Sequence, residues 1–93
     1  MAVSYYIPAF LRTFTDGSSR VVLELTPVTV GEALDALCTK YPGVRDRVLT
    51  EQGEVRQHVN VFVGDESIRF TGGLNTPVEE GVEVAIVPAV SGG

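Results

Sequence analysis

Gly81-Val82-Glu83-Val84-Ala85-Ile86-Val87-Pro88 is the stretch on which the reading of this chain turns. Val82, Val84 and Ile86 fall on one face and Glu83, Ala85 and Val87 on the other, the period of a β-strand. Apolar residues on both faces suit a strand with neighbours on either side. Beyond it the chain runs Ala89-Val90-Ser91-Gly92-Gly93. Two glycines bury nothing and cost backbone entropy, but they leave a bare carboxylate on an arm thin enough for a channel that any side chain would block. A diglycine without context also describes a frayed end. The reading expected here is a folded body over residues 1–88 and a flexible arm over residues 89–93.

Working outward, Val3, Tyr5 and Ile7 alternate with Ser4, Tyr6 and Pro8, which predicts a strand from Ala2 to about Phe10. Asp16-Gly17-Ser18-Ser19 is a turn signal, and Arg20 to Leu25 alternates again, so the two segments form a hairpin with a generous loop. Pro27 stops the second strand. Thr29-Val30-Gly31-Glu32 has the spacing of a capping box, and Val30, Ala33, Leu34, Leu37, Cys38 and Tyr41 then draw one apolar stripe down a helix that ends at Pro42-Gly43. Val44, Val48 and Leu49 suggest a short second helical turn or two before a polar loop from Thr50 to Gln57. His58 to Val63 alternates as a β-branched strand; Ser67 to Phe70 is a short strand at best, Thr71-Gly72-Gly73 a break, and Leu74 to Glu80 a polar connection.

One amphipathic helix and several strands bury their apolar faces as a two-layer α+β domain. With the last strand parallel to the first in the middle of a mixed sheet, packed on one main helix, the arrangement is the β-grasp. A ferredoxin-like order needs a second full helix late in the chain, which Gly72, Gly73 and Pro77 break up.

With 93 residues the chain is one domain. Cys38 is its single cysteine, which rules out an internal disulfide and a multi-cysteine metal site and suits a reducing cytoplasm. No apolar run approaches membrane-spanning length, and Met1-Ala2-Val3-Ser4-Tyr5 lacks a signal-peptide layout; a cytoplasmic protein is expected. Twelve acidic residues against six Arg and one Lys give a net charge of −5, which repels phosphate backbones and anionic lipid and favours a basic protein partner.

Catalytic constellations are missing from the pattern. His58, the single histidine, begins a strand with no nucleophile at recognisable spacing, and reads as a surface or hydrogen-bonded structural residue. Cys38 lies on the helix stripe and reads as core. Asp65-Glu66 and Glu79-Glu80 are solvated turn and loop acids, and Gly72-Gly73 lacks the context of a phosphate loop. No catalytic residue and no metal site are expected. What is left is the outward face of the sheet, where Tyr6, Phe62, Ala85 and Val87 would form an apolar docking patch leading to the tail. The Thr71 to Pro77 loop could instead cover it.

These residues resemble a known family. The β-grasp order ending in Val84-Ala85-Ile86-Val87-Pro88-Ala89-Val90-Ser91-Gly92-Gly93 is similar to the ubiquitin-like sulfur carriers of the MoaD/ThiS superfamily. Ile7-Pro8-Ala9-Phe10-Leu11-Arg12 and Ile68-Arg69-Phe70-Thr71-Gly72-Gly73-Leu74-Asn75-Thr76 are most similar to the CysO-type carriers of cysteine biosynthesis. Small subunits of molybdopterin synthase more often show two prolines before the tail, and this chain departs from them at Ala89 and Gly72-Gly73. The resemblance implies a carrier that is not itself an enzyme. Gly93 would be adenylated by an ATP-dependent adenylating and sulfurtransferase partner and converted to a thiocarboxylate, with Val90, Ser91 and Gly92 threading the partner's channel. A pyridoxal-phosphate-dependent cysteine synthase would receive the sulfur, and a zinc-dependent protease would release the product. The carrier itself would bind no cofactor. The alternatives are the molybdopterin synthase subunit, a protein modifier joined through Gly93 to lysines, and a plain binding module.

Overall fold

The computed structural model describes residues 1–26 and 28–89, and of Val28 only the main chain. The readings made for Pro27 and for Val90, Ser91, Gly92 and Gly93 lie outside those residues. The strands are β1 (Ala2–Tyr6), β2 (Arg20–Glu24), β3 (Val28–Thr29), β4 (Val59–Val63), β5 (Glu66–Ser67), β6 (Pro77–Val78) and β7 (Glu83–Pro88), with helices α1 (Val30–Lys40) and α2 (Pro42–Val48). The main sheet has the order β2-β1-β7-β4-β5, and β3 pairs with β6 in a small second ladder.

At the centre, β7 runs parallel to β1, with Tyr5 opposite Val84 and Tyr6 opposite Ala85. On its other side it runs antiparallel to β4, from Val59 opposite Pro88 to Val63 opposite Val84. The inward residues Val3, Tyr5, Val59, Val61, Val84 and Ile86 are buried and meet Val30, Ala33, Leu34, Leu37 and Cys38 of α1 in one core. Thr29 caps α1 reciprocally: its Oγ1 accepts from the Glu32 N–H at 3.4 Å, and the Glu32 carboxylate accepts from the Thr29 N–H at 3.3 Å. The capping box, the helix stripe, the hairpin, the short α2 and the central parallel pair are all as the sequence predicts.

Three readings are corrected. The first strand stops at Tyr6, and Ala9–Thr15 is a 3-10 helix, because Pro8 supplies no N–H to continue a ladder. Asp16, in the left-handed region at φ 56°, closes that helix. Ser67 to Phe70 is not a strand of its own: Ser67 ends the two-residue β5, and Ile68–Phe70 is a 3-10 turn. The polar connection holds a strand, since Pro77 and Val78 pair with Thr29 and Val28.

The Arg69 to Thr76 segment is a brace. Arg69 donates to the Gln57 and Val59 carbonyls at 3.2 and 3.3 Å along the edge of β4, the Thr71 and Thr76 hydroxyls meet at 3.0 Å, and the Thr76 carbonyl accepts from Val30 N–H at 2.8 Å. Gly72 and Gly73, at φ 121° and 60°, make the bend that brings the segment under the start of α1.

Candidate functional site on the open sheet face

β7 serves two surfaces. While Val84 and Ile86 close the core, Ala85 and Val87 look out on the face away from α1 and are half-buried. Register places Tyr6, Ala85 and Phe62 side by side across β1, β7 and β4, with Val87 and Asn60 in the next row toward the C-terminal end of β7. Ser4, Glu83 and Val22 lie on the same face at its other end, where Arg20 reaches Glu83 at 3.8 Å.

At the C-terminal end of β7 this face sinks into an open groove of about 620 Å³. Tyr6 and Val87 line it, as do Pro8, Ala9 and Phe10 from the 3-10 helix and His58, Pro88 and Ala89 from the ends of the adjoining strands. Phe62 and Ala85 are not in its lining; they form the flat ground behind it. The four docking residues named from sequence thus divide between a groove and the sheet beside it. Sequence reasoning missed Pro8, Ala9, Phe10, Pro88 and Ala89, having carried the first strand through to Phe10. Pro8 was the available signal: with the strand stopped there, the next turn throws Phe10 outward to 41% exposure. The Thr71 to Pro77 loop does not cover this face, since the Thr76 carbonyl accepts from Val30 at the start of α1 and Pro77 pairs with Thr29.

Arg12 lies behind the groove, against Tyr6. Its Nε donates to the Ile7 carbonyl at 3.1 Å, and a terminal nitrogen lies 3.4 Å from the Tyr6 hydroxyl. Ala89 N–H donates to the His58 carbonyl at 2.8 Å, which carries the β4–β7 pairing one residue past Pro88. The side chain of His58 is exposed at the rim.

Elsewhere the titratable groups are structural. Cys38 is buried; burial pushes its thiol up, with Arg45 pulling the other way and Asp35 adding to the rise. A thiol so held has little thiolate at neutral pH. Tyr5 is fully buried and donates to the Ala33 carbonyl at 2.7 Å; burial, then the neighbouring Cys38, pushes its hydroxyl from 10.0 up to about 12. Among the described residues no cluster of three or more His, Cys, Asp or Glu could hold a metal ion, and no helix is long and apolar enough to cross a membrane.

A mixed sheet of five strands over one main helix, with its central strand running out at the edge of an open apolar face, is the ubiquitin-like β-grasp. The chain belongs to the ThiS family, whose model matches residues 5–93. It is 37% identical over 95 residues to the sulfur carrier protein CysO of Mycobacterium tuberculosis H37Rv, covering 100% of both chains. The structure is similar to CysO in the crystal structure of the BexX/CysO complex from Amycolatopsis orientalis, with a TM-score of 0.83, 37% identity and coverage of 98% of this chain and 99% of that one. It is also similar to small archaeal modifier protein 1 of Haloferax volcanii, with a TM-score of 0.82, 31% identity and coverage of 96% and 98%.

Proposed function

We propose that this chain is a sulfur carrier that works through Gly93 and supplies sulfur for cysteine biosynthesis. The observation that carries the reading is a family match that spans the fold and runs to the last residue, joined to full-length similarity to a carrier named CysO. Residues 1–88 are then the docking body and residues 89–93 the arm.

A carboxylate is a poor electrophile, so the first step joins the Gly93 carboxylate to AMP by attack on ATP, with pyrophosphate leaving. Sulfide attacks the acyl carbon, and AMP leaves; where the terminal sulfur of a persulfide attacks instead, an acyl disulfide forms, and a second thiol must cleave its S–S bond to free the thiocarboxylate. The resulting thiocarboxylate is ionised at neutral pH, and its sulfur is a better nucleophile than the oxygen it replaced. That sulfur attacks the β-carbon of an activated serine derivative held by a pyridoxal-phosphate-dependent synthase, and the activating group leaves. The acyl carbon of the resulting thioester passes from sulfur to the amino nitrogen, and a zinc-dependent protease adds water across that amide to free cysteine and restore the diglycine. Every catalytic group belongs to a partner, while this chain positions its end. Tyr6, Phe62, Ala85 and Val87 hold the body at the mouth of the partner's channel as Val90, Ser91 and Gly92 thread it.

Intact-mass measurement tests the reading. Incubation with the activating enzyme, ATP and sulfide is expected to exchange one oxygen of the chain for sulfur, and deletion of Gly93 to abolish the exchange. A carboxylate left unchanged would overturn it. The similarity to an archaeal modifier protein favours one second reading, in which the same acyl-adenylate is captured by amines. Conjugates of this chain on other proteins in a native lysate would support that route instead.

A further inference from the structure

We propose that the surface receiving the tail end of this molecule is acidic and places an apolar side chain in the groove beside Ala89, although the carrier itself has a net charge of −5. This rests on the carrier reading and names the chemistry of the partner's face.

The net charge is unevenly distributed. Glu32, Glu79 and Glu80 line a second groove of about 480 Å³ beside Met1, at the opposite end of the sheet from Ala89. The Asp65-Glu66 turn lies at that same end, where the Gly64 N–H donates to the Glu83 carbonyl at 3.0 Å, and Glu24, opposite Ala2, is there as well. These acids are the counterweight to the tail end and are not assigned a ligand of their own.

At the tail end no carboxylate lines the 620 Å³ groove; its walls are Tyr6, Phe10, Val87 and Pro88, with His58 and Ala89 at the lip. Two arginines are matched by carboxylates among the described residues, Arg20 by Glu83 and Arg45 by Asp35. Arg12 is not. Its contacts are the Ile7 carbonyl and the Tyr6 hydroxyl, which hold the guanidinium behind Tyr6, a residue of the groove's lining, and leave its charge for an incoming carboxylate. Arg69, laid along the Gln57 and Val59 carbonyls, belongs to a separate groove of about 390 Å³ that it shares with Glu54. Asp16, at the tip of the adjoining hairpin loop, is the acid nearest in sequence to Arg12.

The groove is continuous with the exit of the chain, because Ala89 is part of its lining. A surface that swallows the tail therefore also covers the groove. Filling it takes an apolar side chain, and satisfying Arg12 takes an acid beside that side chain. The field acts in the same sense at longer range: an acidic mouth repels the glutamate-rich end and turns the tail end inward before contact.

The test is ATP–pyrophosphate exchange catalysed by the purified activating enzyme, read as KM for the carrier. Arg12→Glu is expected to raise KM about tenfold and Arg12→Gln about threefold with kcat changed less than about twofold, as for a charge acting on encounter. The Gln variant keeps a donor for the Ile7 carbonyl, and thermal melting of both variants confirms that they are folded. Wild-type KM is expected to rise with NaCl, because salt screens an attraction. Asp65→Lys/Glu66→Lys, at the far end, is expected to leave KM unchanged or lower it. Overturning results are an Arg12→Glu KM equal to or below wild type, a wild-type KM that falls with salt, or a far-end variant that raises KM as Arg12→Glu does. Absence of exchange by the wild type at every salt concentration would overturn the carrier reading, and this inference with it. Normal exchange with the wrong charge dependence overturns the inference alone.

Discussion

The two faces of the central sheet are made from the same three strands and behave as different materials. Tyr5 and Tyr6 are neighbours in the chain, yet Tyr5 is fully buried with its hydroxyl bonded to α1, while Tyr6 is 38% exposed beside a groove. Ile86 is sealed against α1, and Val87 next to it is half-buried. The comparison teaches a division of labour: the α1 face supplies the core, and the other face carries apolar residues that the core does not use.

Substitutions can break that division or sharpen it. The largest effect belongs to Ile86→Ala, expected to cost about 2–5 kcal/mol in chemical denaturation because it opens a cavity in a packed core. Val87→Ala, one residue along, is expected to cost less than about 1 kcal/mol, in keeping with a half-exposed site. Equal losses would erase the distinction between the faces.

Alkaline pH is expected to act on the α1 face next. The Tyr5 hydroxyl ordinarily loses its proton near 10.0 and in the fold only near about 12. The folded state therefore holds a proton that the unfolded state has released, and the stability this contributes is fully present below pH 10.0 and lost as pH rises toward about 12. A rise of that size corresponds to about 3 kcal/mol. Tyr5→Phe should remove the component of the tyrosine ultraviolet titration near 12 and flatten the decline, and persistence of that component would assign it to another tyrosine.

Gly43→Ala is expected to cost about 1–3 kcal/mol, because a Cβ there would lie 2.5 Å from the Phe14 ring. Thr29→Ala removes the cap of α1 and is expected to cost about 1 kcal/mol, seen as a lower midpoint in thermal melting. Smallest in stability is Phe62→Glu on the open face, expected within about 0.5 kcal/mol of wild type while binding to the activating enzyme weakens. A large stability loss there would mean that the open face also holds the fold together.

What was legible in the sequence follows from periodicity. Val84 and Ile86 against Ala85 and Val87, the stripe from Val30 to Cys38, and the Thr29/Glu32 pair are local patterns, and local patterns set the strands, the helix and its start. They also put Tyr6, Phe62, Ala85 and Val87 on one face, because alternation fixes facing. The groove was not legible, since it is made where a strand stops: Pro8 ends β1, and a 3-10 turn brings Phe10 beside Val87 and Pro88 from a different part of the chain. The β3–β6 ladder was hidden for a related reason, Pro77 being an edge residue whose partner Thr29 lies far away in sequence. Phe70 is the converse case. It reads as a strand residue in an apolar segment, yet the 3-10 turn leaves it 87% exposed while Ile68 takes the place in the core.

The parallel pairing of β1 with β7 has a consequence for how the molecule comes into being. The middle of the sheet joins Tyr5 to Val84, so its closure waits for nearly the whole chain and bears a large loop-closure entropy. Until β7 inserts, β1 and β4 have no common neighbour, and the groove lacks the wall made by Val87, Pro88 and Ala89. A chain in which β7 has not inserted thus lacks the groove beside Ala89. Closing the centre of the sheet and forming the groove are one event.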